Sequence, residues 1–237
     1  MEKNDPIGKV IEDYLSGKVN AEIKVKSDLS EDDVITAKYL FRSFDTMPKI
    51  EQKALELCKG EILDIGCGAG PHLKALKEKG LYAEGLDVSK KACNYLTSIG
   101  FNVYNENFQQ FSKKKYDTLL LLMSGIGLAG DLQSLPKFLK HAKSILKEDG
   151  KILCDSTDVS YFYEDDEGGL WMDLNAAYYG EFKFKMSYKD NKTDWFKWLY
   201  VDFTKLKTIA NEVGLSCEIV EENTEESSYL AELKVIK

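Results

Sequence analysis

Histidine is nearly absent from this chain of 237 residues, and the two present, His72 and His141, exclude a metal site built on three imidazoles. Cysteine is sparse and scattered. Cys58, Cys67, Cys93, Cys154 and Cys217 are odd in number and form no Cys-x-x-Cys pair, so no zinc or redox motif stands out and no metal is expected. No apolar stretch approaches the length of a membrane span, and the start Met1 to Asp5 lacks the apolar core of a signal peptide. A cytoplasmic protein that does not engage a membrane is the expectation. An excess of positive charge is also missing: 32 basic against 40 acidic residues give a net charge of −8, which disfavours nucleic acid as a partner. The one basic run, Lys113 to Lys115, reads as a solvated loop between strands. With 43% hydrophobic residues, the chain can bury a core the size of one α/β unit with additions.

What is present is a glycine loop in an informative setting. Ile62, Leu63, Asp64 and Ile65 read as a buried strand, and Gly66, Gly68 and Gly70 follow at every second position with Cys67 and Ala69 between them. Leu73 and Leu76 then begin an amphipathic helix. Glycines in a strand-to-helix turn take positive φ and let a ligand lie against bare backbone. A dinucleotide fingerprint needs a third glycine at the sixth position, where Pro71 stands, so a nicotinamide-dependent oxidoreductase is disfavoured but stays open as the alternative. No Gly-Lys-Ser/Thr follows, which removes the phosphate loop. Tyr82 to Val88 form a second short strand ending in Asp87, with Ser89 placed to cap the next helix. A carboxylate at that strand end is positioned to accept hydrogen bonds from ribose hydroxyls.

An acid two residues before Gly-x-Gly-x-Gly, joined to an acid at the end of the second strand, resembles the class I S-adenosylmethionine-dependent methyltransferases. The resemblance covers about Leu57 to Lys237. It implies S-adenosylmethionine as cofactor, held by Asp64, Gly66, Cys67, Gly68, Gly70, Asp87 and Val88, with Met123 after the fourth strand of the core. Asn107 and Phe108 match the family's adenine-binding position. The family's Gly-Gly before the fifth strand is replaced by Asp149-Gly150, which keeps the glycine that stops a helix. Met123, Ser124, Gly125, Ile126 and Gly127 stand where amino-methylating enzymes of nucleic acids and glutamine carry Asn/Asp-Pro-Pro-Tyr/Phe. The implied reaction is in-line methyl transfer to a small-molecule acceptor, which needs alignment more than a covalent residue. If the acceptor must shed a proton, Ser124, Asp155 and Asp158 at strand ends are the candidate bases. A non-catalytic module that only binds the cofactor is a further alternative, since fold does not fix function.

Repeated β-α-β units predict a Rossmann-like, mostly parallel seven-stranded sheet with helices on both faces, and the resemblance implies an antiparallel last strand. The helix through Leu135, Phe138, Leu139, Ala142, Ile145 and Leu146 is expected to stop at Asp149-Gly150. We expect one domain over 1–237, divided into an N-terminal helical cap (1–60), a cofactor-binding core (61–158), an aromatic insertion (159–202) and a closing helix with two strands (203–237). The cap has a helix at Ile7 to Leu15, a helix cap at Ser30 and a helix from Pro48. In similar enzymes such a segment closes over the cofactor, which makes Arg42 a candidate partner for the methionine carboxylate or, on the plainer reading, a surface arginine over aromatics. In the insertion, Phe182, Phe184, Met186 and Tyr188 alternate with polar residues and are answered by Phe196, Trp198 and Tyr200, an amphipathic hairpin. Trp171 and Tyr179 are the expected acceptor-side aromatics. The acidic run Glu164 to Glu167 reads as a solvated loop, and nothing in the pattern sets an oligomeric state.

Overall fold

The computed structural model describes residues 4–163 and 177–237, so Glu164 to Glu167 and Trp171 lie outside the described residues. The N-terminal segment holds α1 (Pro6–Leu15), β1 (Glu22–Ser27), β2 (Asp33–Thr36), α2 (Ala37–Leu40) and α3 (Lys49–Leu57). The helices at Ile7 and Pro48 are present, but residues 22–36 add two strands that the expected helical cap did not contain. Ser30 lies in the turn between them and caps no helix; its N–H donates to Ser27 Oγ at 3.0 Å.

The core then alternates strand and helix: β3 (Ile62–Ile65), α4 (Pro71–Glu78), β4 (Ala83–Asp87), α5 (Lys90–Ser98), β5 (Val103–Asn105), β6 (Tyr116–Leu121), α6 (Leu135–Ser144) and β7 (Leu146–Thr157). The insertion supplies β8 (Glu181–Tyr188), β9 (Asn191–Lys192) and β10 (Phe196–Leu199). The chain closes with α7 (Phe203–Glu212), β11 (Leu215–Asn223) and β12 (Ser228–Val235). Seven strands form one sheet in the order β11-β12-β7-β6-β3-β4-β5. In this sheet β12 runs antiparallel to the other six strands, as expected of the last strand.

Side-chain alternation divides this sheet between two cores. Leu63, Ile65, Leu119, Leu121 and Ile152 pack on the face of α6 and α7, while Ile62, Leu120, Leu122 and Leu153 pack on the face of α3 and α4. Asp64 therefore shares the α3/α4 face. Local capping starts the helices where the motifs require: Ser89 Oγ accepts from Ala92 N (3.1 Å) at α5, and Asp202 accepts from Lys205 N (2.9 Å) at α7. The helix α6 ends at Ser144, five residues before Asp149, because Ile145 leaves helical geometry and Leu146 already pairs with Tyr116 in the sheet. Apolar periodicity carried the expectation too far.

A second, antiparallel sheet of order β10-β8-β1-β2, with β9 on β8, joins the insertion hairpin to the N-terminal strands. Lys24 pairs with Ser187 and Val25 with Met186 across about 160 residues of chain. The helix α1 is tied to the core through Asp5, which accepts from Gly8 N at 2.7 Å and from Ser89 Oγ at 2.7 Å.

Candidate active site

The glycine loop has the conformation its composition demands. Gly66, Gly68 and Gly70 have φ of +78°, +51° and +73°, a region that Cβ-bearing residues enter only with strain. Their surroundings differ in a way that separates their roles. A side-chain carbon at Gly68 would meet nothing within 4 Å, and one at Gly66 would only touch Leu128 Cδ1 at 3.9 Å. At Gly70 it would collide with Leu96 Cδ2 at 2.4 Å. Gly66 and Gly68 thus leave bare backbone facing open space, while Gly70 lets α4 start against α5.

Asp87, at the end of β4, secures this loop. Its Oδ2 accepts from Gly68 N at 2.8 Å and its Oδ1 from Ser89 N at 2.7 Å. Burial raises its pKa above the ordinary carboxylate value, and those two N–H donors pull against the rise.

Behind the loop runs a buried chain of charges. Arg42 donates from Nε (3.0 Å) and Nη2 (2.6 Å) to Glu51 Oε2, and from Nη1 to Tyr39 O (2.6 Å). Glu51 Oε2 also meets His72 Nε2 at 3.0 Å, and His72 Nδ1 stands 3.6 Å from Asp64 Oδ1. Burial alone would lower the pKa of His72, but the carboxylates of Asp64 and Glu51 overturn that and hold it at about 9. The imidazole is therefore charged at neutral pH. Arg42 is buried and committed to Glu51, which modifies the expectation of a guanidinium reserved for a ligand carboxylate, although it does border the cavity.

The strand ends β6 and β7 supply the next wall. Met123 and Ser124 both adopt left-handed backbone, φ +62° and +55°, a strained pair for residues with side chains. Asp155 Oδ2 holds the turn by accepting from Ser124 N at 2.9 Å. Among the described residues, Asp155 Oδ1 and Asp64 Oδ2 are the buried side-chain oxygens without a hydrogen-bond partner. Burial pushes the pKa of Asp155 up to about 6.

These pieces border one cavity of about 490 Å³, within the range of small-molecule sites. Gly66, Cys67, Gly68, Asp87, Met123 and Ser124 line one end of it; the inward face of the second sheet lines the other, with Phe184, Trp198 and Tyr200 prominent. Several expected residues lie off the wall. Val88 is exposed to solvent. Asn107 accepts from Gln109 N (2.9 Å) in its own turn, and Phe108 packs on Phe138 and His141 in the core. Asp64 and Asp155 stand behind lining residues, and Asp158 accepts from Tyr179 Oη at 2.9 Å. Tyr179 does not border the cavity; its ring packs against Tyr163 and Tyr178. Sequence reasoning did not find Glu51, His72, or the strands β1 and β2. The alternation of Ile23 and Val25 with charged residues was the available signal.

A family model described as a methyltransferase domain matches residues 36–216. A crystal structure of an S-adenosylmethionine-dependent methyltransferase from Bacteroides fragilis, in complex with S-adenosyl-L-homocysteine, is 35% identical over 100% of this chain and 97% of that one, with a TM-score of 0.92. The chain is a class I S-adenosylmethionine-dependent methyltransferase. More distant structures share the fold: the CcbJ methyltransferase of Streptomyces caelestis (12% identity, 82% and 95% coverage, TM-score 0.58) and the sugar N-methyltransferase KedS8 of Streptoalloteichus (14%, 79% and 85%, TM-score 0.55). A search of curated protein sequences found no match. The cofactor of this methyltransferase is S-adenosylmethionine, and the open backbone at Gly66 and Gly68 beside the Asp87 carboxylate fits it. No helix among the described residues is long and apolar enough to cross a membrane.

Proposed function

We propose that this methyltransferase transfers its methyl group to a small-molecule acceptor by in-line displacement, in the cytoplasm and as one domain. Its core (61–158) would hold the cofactor, and its N-terminal segment (1–60) and insertion (159–202) would hold the acceptor, with 203–237 completing the sheet. The observation that carries this reading is the continuity of the cavity from Gly68 and Asp87 to Trp198 and Tyr200. When bound, S-adenosylmethionine supplies a sulfonium-activated methyl carbon, which an acceptor's electron pair takes as the carbon–sulfur bond breaks onto sulfur. The residues' part is to align and to exclude water. Gly66 and Gly68 admit the cofactor against backbone, and Asp87 is assigned the ribose hydroxyls. The second sheet walls the reacting end with rings. Asp155 is assigned the holding of the strained Met123-Ser124 turn through Oδ2, and its unpartnered Oδ1 keeps it a candidate base for an acceptor that must shed a proton.

Incubating the protein with methyl-labelled S-adenosylmethionine and a metabolite extract tests the acceptor class. Label is expected in the low-molecular-mass fraction. Label confined to protein or nucleic acid would overturn the small-molecule reading, and unreacted cofactor in the presence of the extract would favour a binding module.

A further inference from the structure

Among the described residues, the inward face of the second sheet is apolar except for Asp33, for Ser27, which pairs with Phe184, and for Asn191, which pairs with Tyr188; Asp33 is its one charged residue. In register, Ile35 pairs with Ile23, Val25 with Met186, Phe184 with Phe196 and Phe182 with Trp198, and residues paired across a sheet share a face. Asp33 pairs with Val25 and so occupies this same face, while its neighbour Val34 points outward and is exposed. Asp33 borders the cavity at its solvent-exposed rim, with Oδ1 accepting from Val34 N at 2.6 Å, while the Val34 side chain lies on the other face of the strand. Asp33 and the adjoining Glu31 border the cavity, as does Tyr200 beyond the other edge strand of the same sheet; the pKa of Tyr200 is pushed up to about 12 by burial first and then by Tyr161, Asp155 and Asp33. Among the described residues, the two cationic side chains that border the cavity are both neutralised, Arg42 by Glu51 and His72 by Glu51 and Asp64.

A chamber with aromatic walls, carboxylates that hold no ion pair and, among the described residues, no unpaired cation repels anionic acceptors and favours a donor-rich or positively charged group. We infer that the methyl acceptor is a small amine, whose N–H Asp33 receives and whose body lies against the rings of Phe184, Trp198 and Tyr200. This deepens the proposed function and rests on it. Asp33 is an anchor here, not a base. A neutral amine supplies the lone pair that forms the C–N bond as the C–S bond breaks, the positive charge passes from sulfur to nitrogen, and no proton moves in that step.

An inward charge also protects an edge strand from unwanted pairing, and β2 is the edge of its sheet. The test separates the two roles. The full chain is loaded with S-adenosylhomocysteine, and binding of three probes on one carbon frame, 2-phenylethylamine, 2-phenylethanol and phenylacetate, is measured by calorimetry; a cyclohexyl frame repeats the set. The amine is expected to bind at least about tenfold more tightly than the matched acid and more tightly than the alcohol. Asp33→Asn should erase the preference of the amine over the alcohol and leave S-adenosylhomocysteine affinity and Tm unchanged, while Asp33→Glu should restore part of it. Equal binding of the three probes, binding of none, or an amine preference that survives Asp33→Asn overturns the inference, even with self-association of the variant. Failure of S-adenosylhomocysteine itself to bind would be a failure of the cofactor site, read in the loading step.

Discussion

His72 bridges Asp64 and Glu51, with Nε2 at 3.0 Å from Glu51 Oε2 and Nδ1 at 3.6 Å from Asp64 Oδ1. It thereby links the acid before the glycine loop to the N-terminal segment through Arg42. Because its pKa is raised from 6.5 to about 9, the folded state binds a proton that the unfolded state releases in between. The resulting stability, on the order of 3 kcal/mol, is fully present below pH 6.5 and is lost as pH rises through about 9. Thermal melts of the wild type should fall across that window, and His72→Gln should flatten the fall. An unchanged slope in the variant would place the alkaline loss elsewhere.

The glycines make a paired prediction. Gly68→Val places a side chain in open cavity space, so S-adenosylhomocysteine binding should disappear while helical circular dichroism is largely kept, with a strain cost of about 1–3 kcal/mol. Gly70→Ala has the opposite signature. Its methyl meets Leu96 in the core, so Tm should drop and the variant that remains folded should still bind. Calorimetry and melting on both variants check this, and normal binding by Gly68→Val would show that the loop does not face the cofactor.

Asp155 should behave as a buried acid that opposes folding once ionised. Its folded pKa of about 6 exceeds the ordinary 3.8, so it lowers stability as pH rises from about 4 to 6, by on the order of 2–3 kcal/mol. Asp155→Asn keeps an acceptor for Ser124 N and removes that dependence. Urea midpoints of the ligand-free protein at pH 4 and pH 7 should therefore favour the variant more at pH 7 than at pH 4.

The cofactor end was legible because its signals are local. Gly66 to Gly70, Asp87 and the Ser89 cap lie within one β-α-β unit, where spacing and backbone need coincide. The acceptor end was not. The pairing of Val25 with Met186 depends on strands far apart in sequence, and β1 is too short for its alternation to stand out. Aromatic content alone could not tell Tyr179, which turns toward Tyr163 and Asp158, from Tyr200, which turns toward the cavity. Arg42 was noticed as a charge over aromatics, and it does lie over Tyr39 at 4.1 Å, but its partner Glu51 sits on a helix whose packing no local pattern reveals.

The cavity edged by Gly68 and Asp87 as the S-adenosylmethionine site is tested most directly by titrating S-adenosylhomocysteine into wild type and Asp87→Ala in a calorimeter. Charge-assisted hydrogen bonds are worth about 1.5–3 kcal/mol, so the variant should bind roughly ten- to a hundredfold more weakly than a wild type that takes one equivalent. Equal affinity in the two proteins would contradict the assignment of Asp87 to the ribose and, with it, the placement of the cofactor in this cavity.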